Sequence, residues 1–239
     1  MGMNRKKRLL LGSCVCFVLV AGCAANEQEL HYRELSEQEF SEKDAQHEEE
    51  NHTTEESGNE KSNQQPVIEN DGNTTTINGI VVVNKKYGVP ADYAPGEDPT
   101  ASAALHQLIA DMQSLGLDIS QDYSGFRSYE TQADLYSSYV NAYGQEQADT
   151  FSARPGYSEH QTGLAYDLKH TNGMLVENET EAQWLLDHAD EYGFIVRYQE
   201  GKEAITGYVA EPWHIRYIGE EATDIKNSGL CLEEYLHIE

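Results

Sequence analysis

The chain changes character near residue 76, and that break limits what it can fold into. From residue 24 to about residue 75 it is rich in Glu, Gln, Asn, Ser and Thr and poor in apolar side chains, with acidic runs at Glu48–Glu50 and Glu55–Glu56. Such a stretch cannot bury enough apolar surface to offset chain entropy, and its like charges extend it. Residues 23–76 are therefore expected to form a disordered acidic tether, with His31, His47 and His52 solvated. From Ile77 onward apolar residues recur at regular spacing, and the roughly 160 residues that follow are enough for one core. The tether also accounts for a hydrophobic content of only 38% in 239 residues and for part of the net charge of −26. That acidity argues against nucleic acid as a partner, because phosphate binding needs Lys and Arg. A peptide remains compatible, since a local site can oppose the global field.

The first residues read as a targeting segment. Arg5, Lys6, Lys7 and Arg8 precede the apolar run Leu9–Ala21, which is short for a membrane span. The run ends in Val20-Ala21-Gly22-Cys23, which resembles a bacterial lipobox. That resemblance implies a signal peptide over residues 1–22, lipidation at Cys23, and a lipid-anchored protein on the extracytoplasmic face of the membrane of a Gram-positive bacterium. Cys14 and Cys16 would leave with the signal, so Cys231 has no partner for an intramolecular disulfide and is expected to be a buried apolar residue.

Within residues 77–239, Gly79–Asn84 predicts a strand. Leu105, Leu108, Ile109, Met112 and Leu115 recur as the stripe of a helix stopped by Gly116. Tyr123–Phe126 reads as extended, and Ser128 as the N-cap of a helix running to Tyr143 before Gly144. A loop is expected over Phe151–Gly163 and a strand over Leu164–Leu168. A helix is expected over Glu179–Tyr192, with Trp184, Leu185 and Leu186 on its packed side. Short strands are expected at Phe194–Tyr198, Ile205–Val209 and Trp213–Ile218, then a helix over Glu220–Asn227. Strands and helices mix without steady alternation, which predicts an α+β domain with a small, mainly antiparallel sheet flanked by helices.

Two strings carry chemistry: Ser158-Glu159-His160-Gln161-Thr162-Gly163-Leu164-Ala165-Tyr166-Asp167 and Glu211-Pro212-Trp213-His214-Ile215-Arg216-Tyr217. A hydrolytic zinc wants three N or O ligands, an open position for water, and a carboxylate nearby to take the proton. His160, Asp167 and His214 are available as ligands and Glu211 as the base. His160 and Asp167 can meet only if the loop folds back, which Gly163 permits. Pro212 breaks a regular ladder, so Glu211 and His214 can face one pocket. On spacing alone the same residues are open to another reading: hydrogen-bonded structural histidines, Asp167 paired with an Arg, and Glu211 as a solvated loop acid. The helical H-E-x-x-H signature is absent.

The two strings, together with Ser124-Gly125-Phe126-Arg127-Ser128, Tyr129-Glu130-Thr131-Gln132 and Ile205-Thr206-Gly207-Tyr208, resemble the VanY-type D-alanyl-D-alanine carboxypeptidases of peptidase family M15. They are similar also to the lipoprotein LD-carboxypeptidases of Gram-positive bacteria. The resemblance spans roughly Ile80 to Leu236, with the blocks in order. It implies one zinc ion on His160, Asp167 and His214, and Glu211 as general base and acid. It also implies that Arg127 stabilises the oxyanion or holds substrate, with Gln132 and Ser158 as substrate contacts. Trp213 and Tyr217 are expected as wall and core, and His106, His170, His188 and His237 as surface or structural residues.

The activity so implied is removal of the C-terminal D-alanine from peptidoglycan stem peptides, with D-Ala-D-Ala as the first reading and L-Lys-D-Ala of tetrapeptides as the alternative. An endopeptidase acting within the stem or cross-bridge and a non-catalytic wall-binding module are the rivals. The protein is expected to be a monomer.

Overall fold

The computed structural model describes residues 65–238. The proposed signal segment, Cys23 and most of the tether lie outside them. The C-terminal end of the tether does not: residues 68–77 form a β-hairpin rather than disordered chain. Strand β1 (Ile68–Asn70) pairs antiparallel with β2 (Thr75–Ile77), and β2 pairs with β3 (Ile80–Val82). The polar run between β1 and β2 makes the turn. The Asp71 carboxylate accepts from the amides of Asn73 and Thr74 at 2.8 and 2.7 Å, and Gly72 takes a φ of +93°. A sequence poor in apolar residues can thus still pair through its backbone. The hairpin's inward side, Ile77, Ile80 and Val82, packs on Ile225, Leu232 and Leu236 near the C-terminus.

Helix α1 (Pro99–Ser114) is capped by Asp98, whose carboxylate accepts from the amides of Thr100 and Ala101, and it buries Leu105, Leu108, Ile109 and Met112. Leu115 is not part of that stripe. It sits at the C-cap, where the chain leaves the helix, and is 65% exposed. After β4 (Tyr123–Ser124) comes α2 (Tyr129–Tyr143), entered at Ser128 and left at Gly144 as the sequence predicts. The short α3 (Gln145–Ala148) follows. The long loop then contains a buried 3₁₀ turn at Glu159–Thr162, before β5 (Ala165–Leu168).

Helix α4 (Glu179–His188) tightens into a 3₁₀ turn (Ala189–Tyr192) that ends at Gly193 with φ +81°. Leu185 is buried on it, whereas Leu186 is exposed, one position off the packed stripe. Strand β6 (Phe194–Tyr198) follows. The strand expected at Ile205–Val209 is a helical turn, α5 (Glu203–Thr206). Gly207, at φ +77°, ends it by donating to the Glu203 carbonyl at 2.8 Å. Strand β7 (Glu211–Tyr217), α6 (Ala222–Ser228) and α7 (Leu232–Tyr235) complete the chain.

The second sheet has the order β4-β5-β7-β6 with every pairing antiparallel. With helices around two antiparallel sheets, the α+β expectation holds. The central strands β5 and β7 carry the residues of interest. Among the described residues no helix is long and apolar enough to cross a membrane.

Candidate active site

Sheet register brings the two strings together. Asp167 on β5 lies between Ser124 on β4 and His214 on β7 as a direct cross-strand partner of both. His160 reaches the same place from the 3₁₀ turn. That turn folds back at Gly163, whose φ is +73° and whose missing Cβ would stand 2.0 Å from the Gly96 carbonyl oxygen. Only glycine fits there. Glu211 begins β7 beside Pro212, opposite Tyr198 and past a shift in the β6–β7 register between Val196 and Tyr198. A proline is tolerated at such a break. The shift leaves Glu211 Oε2 3.7 Å from His214 Nδ1.

His160, Asp167 and His214 are all buried, and their ligand atoms lie within 4.8 Å of one another. His160 donates from Nδ1 to the Gly125 carbonyl at 2.9 Å, which turns Nε2 toward Asp167 Oδ2 at 3.0 Å. His214 faces the other way. Its Nε2 meets Glu159 Oε2 at 3.3 Å, and its Nδ1 stands 2.9 Å from Asp167 Oδ1. Asp167 Oδ1 is buried, with the His214 ring nitrogen as its near polar neighbour. A buried carboxylate between two inward ring nitrogens is an arrangement that a cation satisfies, and two imidazoles with one carboxylate suit zinc chemistry.

The electrostatics agree. Burial disfavours the charged imidazole of His214, yet its contacts with Asp167 and Glu159 push its pKa up to about 10. Burial also pushes the Asp167 carboxyl up, and the two histidines outweigh it, holding the group well below the usual carboxylate range. The carboxylates therefore favour positive charge at His214, while burial pulls the pKa of His160 down.

Arg127 lines the site with Nη2 3.5 Å from Asp167 Oδ2. It is held by Gln132, whose Oε1 accepts from Arg127 Nη1 at 3.0 Å. The Gln132 amide nitrogen donates to the Ala153 carbonyl at 2.6 Å and to Ser152 Oγ at 3.3 Å. Gln132 is only 1% exposed, so its geometry fits positioning of Arg127 rather than the direct substrate contact expected of it. Ser158 opens the 3₁₀ turn without capping it by its side chain. Trp213 is buried, and Tyr217 packs edge-on against Phe194.

Three other histidines among the described residues lie elsewhere. His106 and His170 bond backbone carbonyls, and His188 pairs with Glu191. Cys231 is a buried free thiol. Sequence reasoning passed over Glu159, which is 2% exposed and bonds Arg197 and Arg216 as well as His214. An acidic residue beside a candidate ligand gives no sign of burial until its arginine partners are located on distant strands.

Comparison with known proteins follows the same residues. A family model described as VanY, D-alanyl-D-alanine carboxypeptidase, matches residues 96–220. The putative carboxypeptidase YodJ of Bacillus subtilis is 34% identical over 183 residues, covering 66% of this chain and 67% of that protein. The crystal structure of the L,D-carboxypeptidase DacB of Streptococcus pneumoniae is 57% identical, with a TM-score of 0.71, covering 73% of this chain and 97% of that one. The Zn(II) complex of a vancomycin-resistance D,D-pentapeptidase VanY is 36% identical, with a TM-score of 0.58, covering 65% of this chain and 97% of that one. The chain therefore belongs to the VanY family of D-alanyl-D-alanine carboxypeptidases and is a hydrolase of the carboxypeptidase class.

Proposed function

We propose that this protein is a zinc metallocarboxypeptidase that releases the C-terminal D-alanine of peptidoglycan stem peptides. The observation that carries the reading is the convergence of His160, Asp167 and His214 on one point, with Glu211 and Arg127 beside them. Zinc held by these three residues would supply a Lewis acid and lower the pKa of water at the site toward about 7. Glu211 is then the group that takes the proton of the attacking water and returns it to the leaving amine of D-alanine. Arg127, a permanent cation with five donors, stabilises the developing oxyanion or holds the substrate carboxylate. Gln132 keeps that guanidinium aimed, and Ser158 is a further candidate substrate contact.

The bond cleaved is read as L-Lys-D-Ala. The support is the 57% identity to the pneumococcal L,D-carboxypeptidase, against 36% to the D,D-pentapeptidase. Cleavage of D-Ala-D-Ala is the second reading, supported by the family model itself. A lipid anchor at Cys23 with a tether ahead of residue 65 would hold the site against the wall on the extracytoplasmic side of the membrane, as a monomer.

Metal removal tests the proposal. Dialysis against a strong chelator should abolish D-alanine release, and stoichiometric zinc should restore it. Magnesium should not, because it prefers an all-oxygen octahedral shell. Full activity in rigorously metal-free protein would refute the zinc reading.

A further inference from the structure

The roles given so far leave Glu159 unused, although both of its carboxylate oxygens are paired. One oxygen, Oε1, accepts from Arg197 Nε and Arg216 Nη1, both at 2.9 Å. The other, Oε2, faces His214 Nε2 at 3.3 Å. The arginines are fixed in turn. Arg197 forks onto Glu233 of α7 at 2.8 and 2.5 Å, and Asn84 donates to the same carboxylate at 3.1 Å. Arg216 donates to the Val81 carbonyl at 2.6 Å. Glu159, Arg197, Arg216 and Glu233 are each no more than 3% exposed.

A carboxylate can only accept hydrogen bonds, so the ring nitrogen of His214 that faces it must carry the hydrogen. As a metal ligand the ring is neutral and has one N–H. Placing it at Nε2 leaves a lone pair on Nδ1, the atom that faces Asp167 and Glu211. Four buried charges are a weak source of net stability, because desolvation offsets their attraction. Their geometry instead converges on one ring. The same 3₁₀ turn supplies His160 as a ligand and, one residue earlier, the group that orients the other histidine.

We infer that Glu159 is a positioning residue that selects the His214 tautomer and ring orientation for metal binding. This rests on the zinc reading proposed above.

The test is the zinc dissociation constant, measured by competition with a chromophoric chelator, alongside the thermal midpoint of the metal-free protein. In E159Q the two arginines claim the amide oxygen, so the NH₂ group faces His214 Nε2 and drives the ring hydrogen to Nδ1. Zinc affinity should fall about 10–100-fold. E233Q perturbs the same ion network without touching His214, so it should lower the thermal midpoint while affinity stays near wild type. E159Q/R216Q removes one charge of each sign, guards against unfolding, and should show the same loss of affinity as E159Q. Unchanged affinity in folded E159Q or in the double variant would overturn the inference, as would equal weakening in E159Q and E233Q. A wild-type protein that takes up no zinc would instead overturn the zinc reading, and the inference with it.

Discussion

Asp167 on β5 and His214 on β7 are direct cross-strand partners, and their Oδ1 and Nδ1 atoms stand 2.9 Å apart. Both atoms are acceptors whenever His214 carries its hydrogen on Nε2, so a cation between them removes a repulsion. Strand register sets this pairing. A slip of one residue would turn His214 to the opposite face of the sheet.

Asp167→Asn should therefore keep size and register but lose the metal. Elemental analysis of the purified variant, with its circular dichroism spectrum unchanged, is expected to find little zinc. Stoichiometric zinc in that variant would contradict the ligand assignment.

Glu211 lies one step outside the ligand set, with Oε2 3.7 Å from His214 Nδ1. Glu211→Gln should retain zinc and lose turnover by about 100-fold or more, the usual worth of a positioned proton-transfer group. A variant with wild-type kcat would remove Glu211 from the chemistry and revive the wall-binding rival.

Arg127 and Gln132 form a hierarchy, since the amide of Gln132 holds the guanidinium and is itself held by Ala153 and Ser152. Arg127→Ala should lower kcat/KM by roughly 100–1,000-fold. Gln132→Ala should cost less, because the arginine survives but loses its aim. Steady-state kinetics of the two variants and of the double variant check this. Additive losses in the double variant would contradict the idea that Gln132 acts through Arg127.

What could be read in advance followed from local chemistry. Ser128 and Gly144 bound α2 because a capping hydroxyl and a glycine act on their own neighbours. Candidate ligands could be named because their types match a known pattern at known order. Three features were not. The β1–β2 hairpin is held by an Asx turn and backbone pairing, which leave no apolar signal. Residues Ile205–Val209 are rich in strand-forming side chains, yet Gly207 in the left-handed region closes a helical turn there. Glu159 gave no sign of burial because the arginines that pair with it, Arg197 and Arg216, sit on β6 and β7.

The central claim is release of D-alanine, and weighing the products of defined stem peptides tests it most directly. Purified protein carrying zinc should convert a tetrapeptide ending in L-Lys-D-Ala to the tripeptide plus free D-alanine, faster than it trims a pentapeptide ending in D-Ala-D-Ala. Faster trimming of the pentapeptide would select the D,D reading. Internal fragments without free D-alanine, or no product from either peptide, would contradict the account.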